Sequence, residues 1–341
     1  MEILITGGSG FIGSNLVAYG IKSGHKITVL DNLSRPGTSS NLEWLRSLGN
    51  FEFVQCDICN FSDVQKLFYS KKFDAVFHQA AQVAVTKSVQ DPRNDFEINA
   101  LGTFNLLEAI RLSNQKPVFV FASTNKVYGA LAGNVVIEKN NRYTFQKLSQ
   151  GIPEDMLLDF YSPYGCSKGA ADQYVNDYRR IYGLRTITFR QSCIYGPRQM
   201  GLEDQGWVAW FVICAVLGRP ITVYGDGKQV RDLLYIDDLV DLYFKTIEME
   251  PNLKTFTFNV GGGPDKSLSI LEVIKLLEEE IGQPIQIKFS NWRPGDQKVY
   301  VSDIRAVCRE FKWMPKVSPK QGISNMLKWV RENQVLFCNF V

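Results

Sequence analysis

The sequence predicts an α/β protein built on a doubly wound parallel sheet, with a smaller α/β lobe in its C-terminal part. Short strands and helices alternate through the first half, and those strands are apolar on both faces. The second half loosens into glycine- and proline-rich connections. Strands joined by helical crossovers pair in parallel, and a parallel sheet covered on both sides needs strands without a polar face.

Glu2–Thr6 (EILIT) reads as the first strand, 11–23 as a helix, 26–30 as the second strand and 39–48 as a helix. Further strands follow at 51–55, Ala75–His78 and 118–122, β-branched and aromatic-rich as strands are. Helices fill the intervals, the longest around 95–112. After about Gln191 come YGPRQMG, LGRPITVYGDG, VGGGPD and NWRPGDQ. One uncharged run, 205–218, falls short of the roughly 20 apolar residues that span a bilayer. Its alternation of bulky and small residues predicts a core helix. Ser269 and Glu272 form a capping box opening a helix to Ile281, which Gly282 closes. A last surface helix is expected at 320–333, with Met326, Leu327, Trp329 and Val330 on or near its inner face. This divides the chain into a first domain over 1–190 and a lobe made mainly of 191–341, with some later elements returning to the first. No flexible linker separates them, so the two are expected to close over a cleft.

The 341 residues are 45% hydrophobic and 21% charged, an ordinary globular composition. The net charge is 38 − 35 = +3 with no block of one sign, so no nucleic-acid partner is expected. A strand beginning at MEILITGG leaves no room for a signal or transit peptide in front of it, and a soluble, cytoplasmic protein is expected. The seven cysteines are odd in number and scattered, which speaks for a reducing compartment. Cys56 and Cys59 form a C-x-x-C with no second pair, and the only histidines are His25 and His78, so no metal site is expected.

Between the first strand and first helix lies TGGSGFIGSN, with Gly7, Gly10 and Gly13 in G-x-x-G-x-x-G spacing. Glycines there permit a tight turn, and a helix N-terminus offers free N–H groups and a positive dipole end to a pyrophosphate. Asp31 ends the second strand 18 residues past Gly13. A carboxylate at that place accepts both adenosine ribose hydroxyls and repels a 2′-phosphate, so the expected cofactor is NAD rather than NADP. Asp57, at the end of the third strand, falls beside the expected adenine. The fifth strand runs into Ser123 and Thr124, whose hydroxyls are expected to face the nicotinamide region. Tyr164 and Lys168 stand four apart at the start of a helix expected to reach Tyr182. A lysine ammonium and a positive nicotinamide would lower the phenol pKa from about 10, and the phenolate could then take a proton from a sugar hydroxyl. Tyr-x-x-x-Lys alone is common helix decoration; behind this glycine motif it reads as chemistry.

Together TGGSGFIG, VLDN, CDI, STNKVYG, YGCSK and YGPR resemble the extended short-chain dehydrogenase/reductase family acting on nucleotide sugars, over about residues 1–333. The resemblance implies a Rossmann domain with a small nucleotide-sugar lobe. It implies catalytic Thr124, Tyr164 and Lys168, and tightly held NAD contacted by Gly7, Gly10, Phe11, Ile12, Gly13, Asp31, Asn32, Asp57, Ile58, Ala80, Tyr164 and Lys168. Longer stretches, among them YGDGKQVRDLLYIDDLVDLY and WRPGDQKVYVSDI, are similar to the branch that epimerises C2 of CDP-dideoxyhexoses, converting CDP-paratose to CDP-tyvelose in O-antigen synthesis. That likeness places a CDP-sugar on Thr124, Asn125, Gln191, Tyr195, Arg198, Arg231 and Arg293, the last two on its diphosphate. It also implies a homodimer or homotetramer paired through the helices at 95–112 and Ser162–Tyr182. The loop 145–160 departs from the pattern. A UDP-hexose 4-epimerase shares the same catalytic set and stays open. A 4,6-dehydratase would carry Asp-Glu where this chain has Asn125-Lys126. A non-catalytic NAD-binding scaffold would be expected to lose Tyr164 or Lys168.

Overall fold

The computed structural model describes residues 1–250, 253–293 and 296–337. Seven strands, β1 (Glu2–Thr6), β2 (Lys26–Asp31), β3 (Glu52–Gln55), β4 (Ala75–His78), β5 (Val118–Thr124), β6 (Arg185–Gln191) and β7 (Thr257–Val260), form one sheet in the order β7-β6-β5-β4-β1-β2-β3. β1 is parallel to β2 and β4, β2 to β3, and β4 to β5. Ile3, Leu4, Ile5, Val76, Phe77 and Val120 are fully buried, as strands covered by helices on both faces require. The strand order reverses between β1 and β4. In an open α/β sheet that switch point leaves a crevice at the carboxyl ends of the strands, where ligands bind.

Most elements lie where the sequence puts them, and the differences are local. β5 runs on through Ser123 and Thr124, because the polar side chain of Ser123 has a buried partner described below. The long helix expected over 95–112 is three segments, Pro92–Phe96, a π turn at Glu97–Leu101, and Gly102–Leu112. π turns of this kind are frequent at functional sites. A hairpin, Val136–Lys139 with Arg142–Phe145, was not expected. Its turn residues Asn140 and Asn141 take φ of 54° and 59°, the pair of positive angles that an asparagine-rich two-residue turn supplies.

The chain divides into two compact units: 1–127, 160–190 and 240–258 in unit 1; 128–159, 191–239 and 259–341 in unit 2. The excursion of 128–159 into unit 2 has no signal in the sequence reading, which ran the first domain unbroken to 190. Unit 1 holds the core around Leu4, Leu30, Phe68, Leu106, Phe121 and Val175. In unit 2 the loop 145–160 is anchored rather than loose. Ile152 bridges Ser302, and the Glu154 carboxylate accepts the Asn259 N–H at 2.9 Å.

The uncharged run becomes the buried helix Trp207–Val216. Among the described residues no helix is long and apolar enough to cross a membrane. The helix Pro319–Glu332 buries Met326, Leu327 and Val330, and Phe337 packs edge-on against Trp329 at 5.6 Å. Phe337 therefore packs on its own chain, while Val335 stands exposed, and 338–341 lie outside the described residues.

Candidate active site

The glycine turn sits at the switch point. Gly7 follows β1 with φ +66°, and a Cβ there would meet the Ala80 backbone nitrogen at 2.6 Å. A Cβ on Gly13 would strike the Gly7 carbonyl oxygen and come within 2.7 Å of Gly8 Cα. The turn is thus held between the residues after β4 and the first turn of the helix Phe11–Lys22. Gly10 caps that helix without a side-chain bond, leaving its leading N–H groups to an incoming anion. Gly7, Gly10, Gly13 and Ala80 therefore come together as expected, with Phe11 and Ile12 half-buried at the helix start. The buried Ser9 hydroxyl is without a hydrogen-bond partner beside them.

Asp31, at the end of β2, accepts the N–H of Ser9 at 3.0 Å and of Leu33 at 2.9 Å. Burial raises its carboxyl above the ordinary range, against the lowering pull of those N–H groups and of the Arg35 charge. Since only the ionised form accepts two ribose hydroxyls, NAD affinity is expected to weaken on acidification from a higher pH than an ordinary carboxylate would give. Asp31→Asn should abolish this pH dependence and cost about 10- to 100-fold in affinity, the range for hydrogen bonds to a charged group. NAD titrations followed by calorimetry between pH 4.5 and 8 check both. The Asn32 amide donates to Asp57 at 2.9 Å, so two of the residues expected on the cofactor meet. Ile58 turns its side chain into the core against Gly102, and its carbonyl accepts the Asn105 amide at 2.9 Å. The C-x-x-C beside them is inert: burial pushes Cys56 up to about 11 and Cys59 to about 12.

At the carboxyl end of β5 the expected catalytic residues converge. Thr124 hydrogen-bonds the phenol of Tyr164, and its hydroxyl lies 3.3 Å from Asn125 Oδ1. The Tyr164 N–H donates to Ser88 Oγ at 3.1 Å, fixing the start of the helix Ser162–Tyr182. Lys168, one turn on, is 3% exposed, with Nζ 4.1 Å above the Phe121 ring. Burial drives the Tyr164 phenol up to about 12, while Thr124 and the Arg35 charge pull it down and Asp95 adds to the rise. The protein alone thus raises this phenol. The expected lowering has to come with the positive ring of the cofactor. Ser123 departs from expectation: its hydroxyl donates to the buried Asp172 at 2.7 Å and not toward the nicotinamide region.

Of the residues expected on the substrate, Thr124 and Asn125 lie in unit 1 and the others in unit 2. Arg231, on the strand Val230–Asp232, pairs with Asp296 at 2.6 Å and donates to the carbonyls of Val230 and Gln297. Arg293 pairs with Asp204 at 3.1 Å and stacks on Tyr224 at 3.8 Å. The Asp296 N–H donates to the Arg293 carbonyl at 3.2 Å, which links the ion-pair partner of Arg231 to Arg293. Gln191 is half-buried at the end of β6. Arg198 takes φ +70° and lies 5.7 Å over the Trp329 ring. Tyr195 is a correction to the expected sugar-pocket role. It is 1% exposed and its hydroxyl is directed to the Pro319 carbonyl, against Gly322, where any Cβ would collide with it. It packs the C-terminal helix.

The sequence reading missed a buried polar network beside Tyr164. Asn99, in the π turn, donates to the Gln82 carbonyl at 2.9 Å, to Asp95 at 3.1 Å and to Ser167 at 3.2 Å. Ser167 in turn donates to Asp95 at 2.5 Å. His78 lies between Thr6 and Thr103 at 2.7 and 2.9 Å, and burial keeps it neutral. The π turn was the one local signal available, and helical periodicity does not reveal it.

A parallel sheet whose switch point carries this glycine turn, with Thr, Tyr and Lys beside it, defines a short-chain dehydrogenase/reductase of the extended type. The family model described as "NAD dependent epimerase/dehydratase family" matches residues 3–261, and the chain belongs to that family, with NAD as its cofactor. It is 48% identical to CDP-paratose 2-epimerase of Salmonella typhi, over 96% of this chain and 99% of that protein. Among solved structures it resembles UDP-glucose 4-epimerase of Thermotoga maritima with UDP-glucose, at TM-score 0.85 and 31% identity, covering 98% of this chain and 100% of the other. The NAD complex of UDP-glucose 4-epimerase from Thermus thermophilus matches at TM-score 0.81 and 31% identity, covering 97% and 99%.

Proposed function

We propose that this enzyme inverts C2 of a CDP-dideoxyhexose, converting CDP-paratose to CDP-tyvelose through a 2-keto sugar. The observation that carries the reading is the 48% identity to CDP-paratose 2-epimerase over nearly the whole of both chains, against 31% to the UDP-glucose 4-epimerases of known structure. Thr124 holds the sugar 2-hydroxyl in line, and Tyr164 as phenolate takes its proton. Hydride then leaves C2 as the carbonyl forms. The keto sugar presents its other face, hydride returns there, and Tyr164 gives the proton back. Bound NAD supplies the hydride acceptor and donor and a positive ring beside the phenol, with no net redox change. Lys168, one helical turn from Tyr164, favours the phenolate when protonated. Arg231 and Arg293 exchange Asp296 and Asp204 for the diphosphate, to which guanidinium forks are suited. Proton NMR of the protein with CDP-paratose in D2O is expected to show CDP-tyvelose with protium retained at C2. Deuterium at C2 would replace the hydride route with deprotonation. Turnover of UDP-glucose instead of CDP-paratose would turn the reading to a 4-epimerase.

The enzyme works as a homodimer in the cytoplasm. Phe96, Leu101, Tyr174 and Ile181 stand exposed on the helical segments between 92 and 112 and on Ser162–Tyr182, a concentration of large apolar groups that a second copy would cover. The six described cysteines are free, consistent with a reducing compartment. Light scattering on a sizing column is expected to give twice the chain mass, and Tyr174→Arg with Ile181→Arg to give the monomer. A tetramer in the unsubstituted protein would extend this contact to a second face.

A further inference from the structure

Asp172 is fully buried one helical turn beyond Lys168. Its carboxylate joins three elements. It accepts the Ser123 hydroxyl at 2.7 Å from the end of β5. It also takes Arg190 of β6 through Nε at 3.0 Å and Nη2 at 3.1 Å. On its own helix it accepts the amides of Gln173 at 3.0 Å and Asn176 at 3.2 Å. Arg190 is itself 5% exposed, so this is a buried, bidentate ion pair with its remaining acceptor sites filled. Ser123 immediately precedes Thr124, and Asp172 rides on the helix that carries Tyr164 and Lys168. The spacing of Thr124 from Tyr164, on which the proposed proton transfer depends, is therefore set beside this one carboxylate.

We propose that Asp172 is a positioning residue for the Thr124–Tyr164–Lys168 set, clamping the end of β5 to the catalytic helix and setting the charge that Lys168 feels. The inference rests on the catalytic reading above. Lys168 has no carboxylate within ion-pair distance among the described residues. The charged and titratable groups that bear on it are Asp172 on its own helix, Asp95 from the segment before the π turn, neutral His78 at the end of β4, Tyr164, and Arg190 as the partner of Asp172. Burial pulls the ammonium down to about 7 against the holding charges of Asp172 and Asp95. Removing the negative charge should release the Lys168 proton at lower pH. Removing Arg190, which leaves Asp172 uncompensated, should do the reverse.

Direct titration of Lys168 in the substrate-free holoenzyme tests this. The protein is labelled with [ε-13C]lysine, and the Lys168 resonance is the one absent from Lys168→Met. Expected is a titration midpoint lowered in Asp172→Asn and raised in Arg190→Gln; midpoints unmoved in both would reduce Asp172 to packing. Ser123→Ala keeps the ion pair and cuts only the strand tie. It should lower kcat about tenfold with KM and the Lys168 midpoint unchanged, and a wild-type kcat would overturn the clamp. Should Asp172→Asn fail to fold, Arg190→Gln and Ser123→Ala still decide both halves. The lysine titration needs no sugar, so a wrong substrate assignment would leave it readable.

Discussion

Tyr164→Phe is expected to lower kcat by about 10²- to 10⁴-fold, the usual contribution of a positioned acid–base group, with NAD still bound and the fold intact. The ring fills a site only 8% exposed, and phenylalanine keeps its shape and its packing. What is lost is the oxygen that Thr124 bonds. The phenol's position on the pH scale shows what NAD has to do beyond hydride transfer. Burial holds it at about 12, so without the cofactor it is protonated at any physiological pH. One positive charge about 4 Å away at an effective dielectric of about 20 is worth about 4 kcal/mol, or about three pKa units. The positive ring of the cofactor would therefore lower the phenol from about 12. The acid limb that this phenol gives the kcat profile should vanish in Tyr164→Phe. Ultraviolet difference titration of wild type against Tyr164→Phe should show the phenol ionising at lower pH with NAD than without. An unmoved titration would remove Tyr164 from the base role, as would near-normal turnover of the variant.

Gly13→Ala is expected to yield a destabilised protein that purifies without NAD. The added methyl meets the carbonyl oxygen of Gly7 and the Cα of Gly8, both backbone, so no side chain can swing aside. Gly7 cannot retreat, because Ala80 is packed behind it. Forcing extra volume into such a place costs about 1–3 kcal/mol. In a chain of this size that lowers Tm by about 1–2 °C for each kcal/mol. Gly10→Ala is the contrast. Its Cβ would meet only the Gly7 carbonyl oxygen, at 3.1 Å, so the fold should hold while the methyl enters the path of the pyrophosphate. Thermal melts with chromatography of released nucleotide separate the two outcomes. Wild-type melting and NAD content in Gly13→Ala would mean that the turn is less tightly held than its contacts imply.

The parts of the site legible in the sequence were those whose chemistry is written in short spacings. Three glycines between a strand and a helix, an acid at the end of the next strand, and a tyrosine four residues before a lysine each describe a local backbone geometry. The structure brings Thr124, Tyr164 and Lys168 together, and Gly7, Gly13 and Ala80 likewise. Ser123 and Tyr195 were misread because a polar residue near a site can face either way. Ser123 turns to Asp172, 49 positions later, and Tyr195 to Pro319, 124 positions later. No pattern within a dozen residues distinguishes those directions.

The sequence by itself determined the doubly wound sheet, the dinucleotide turn, the preference for NAD and the placing of Thr124, Tyr164 and Lys168 at one strand end and one helix start. Strand and helix periodicity, glycine stereochemistry and a single carboxylate act over a few residues, and their outcome is written locally. Only the tertiary structure decided that 128–159 belongs with the second unit, that Asp95, Asn99 and Ser167 form a buried network behind Tyr164, and that Asp172 and Arg190 meet beside Ser123. Each of these depends on desolvated polar groups finding partners far away in the chain, and burial penalises any that go unpaired. That penalty is a property of the packed interior, so the pairing becomes visible only once the interior is built.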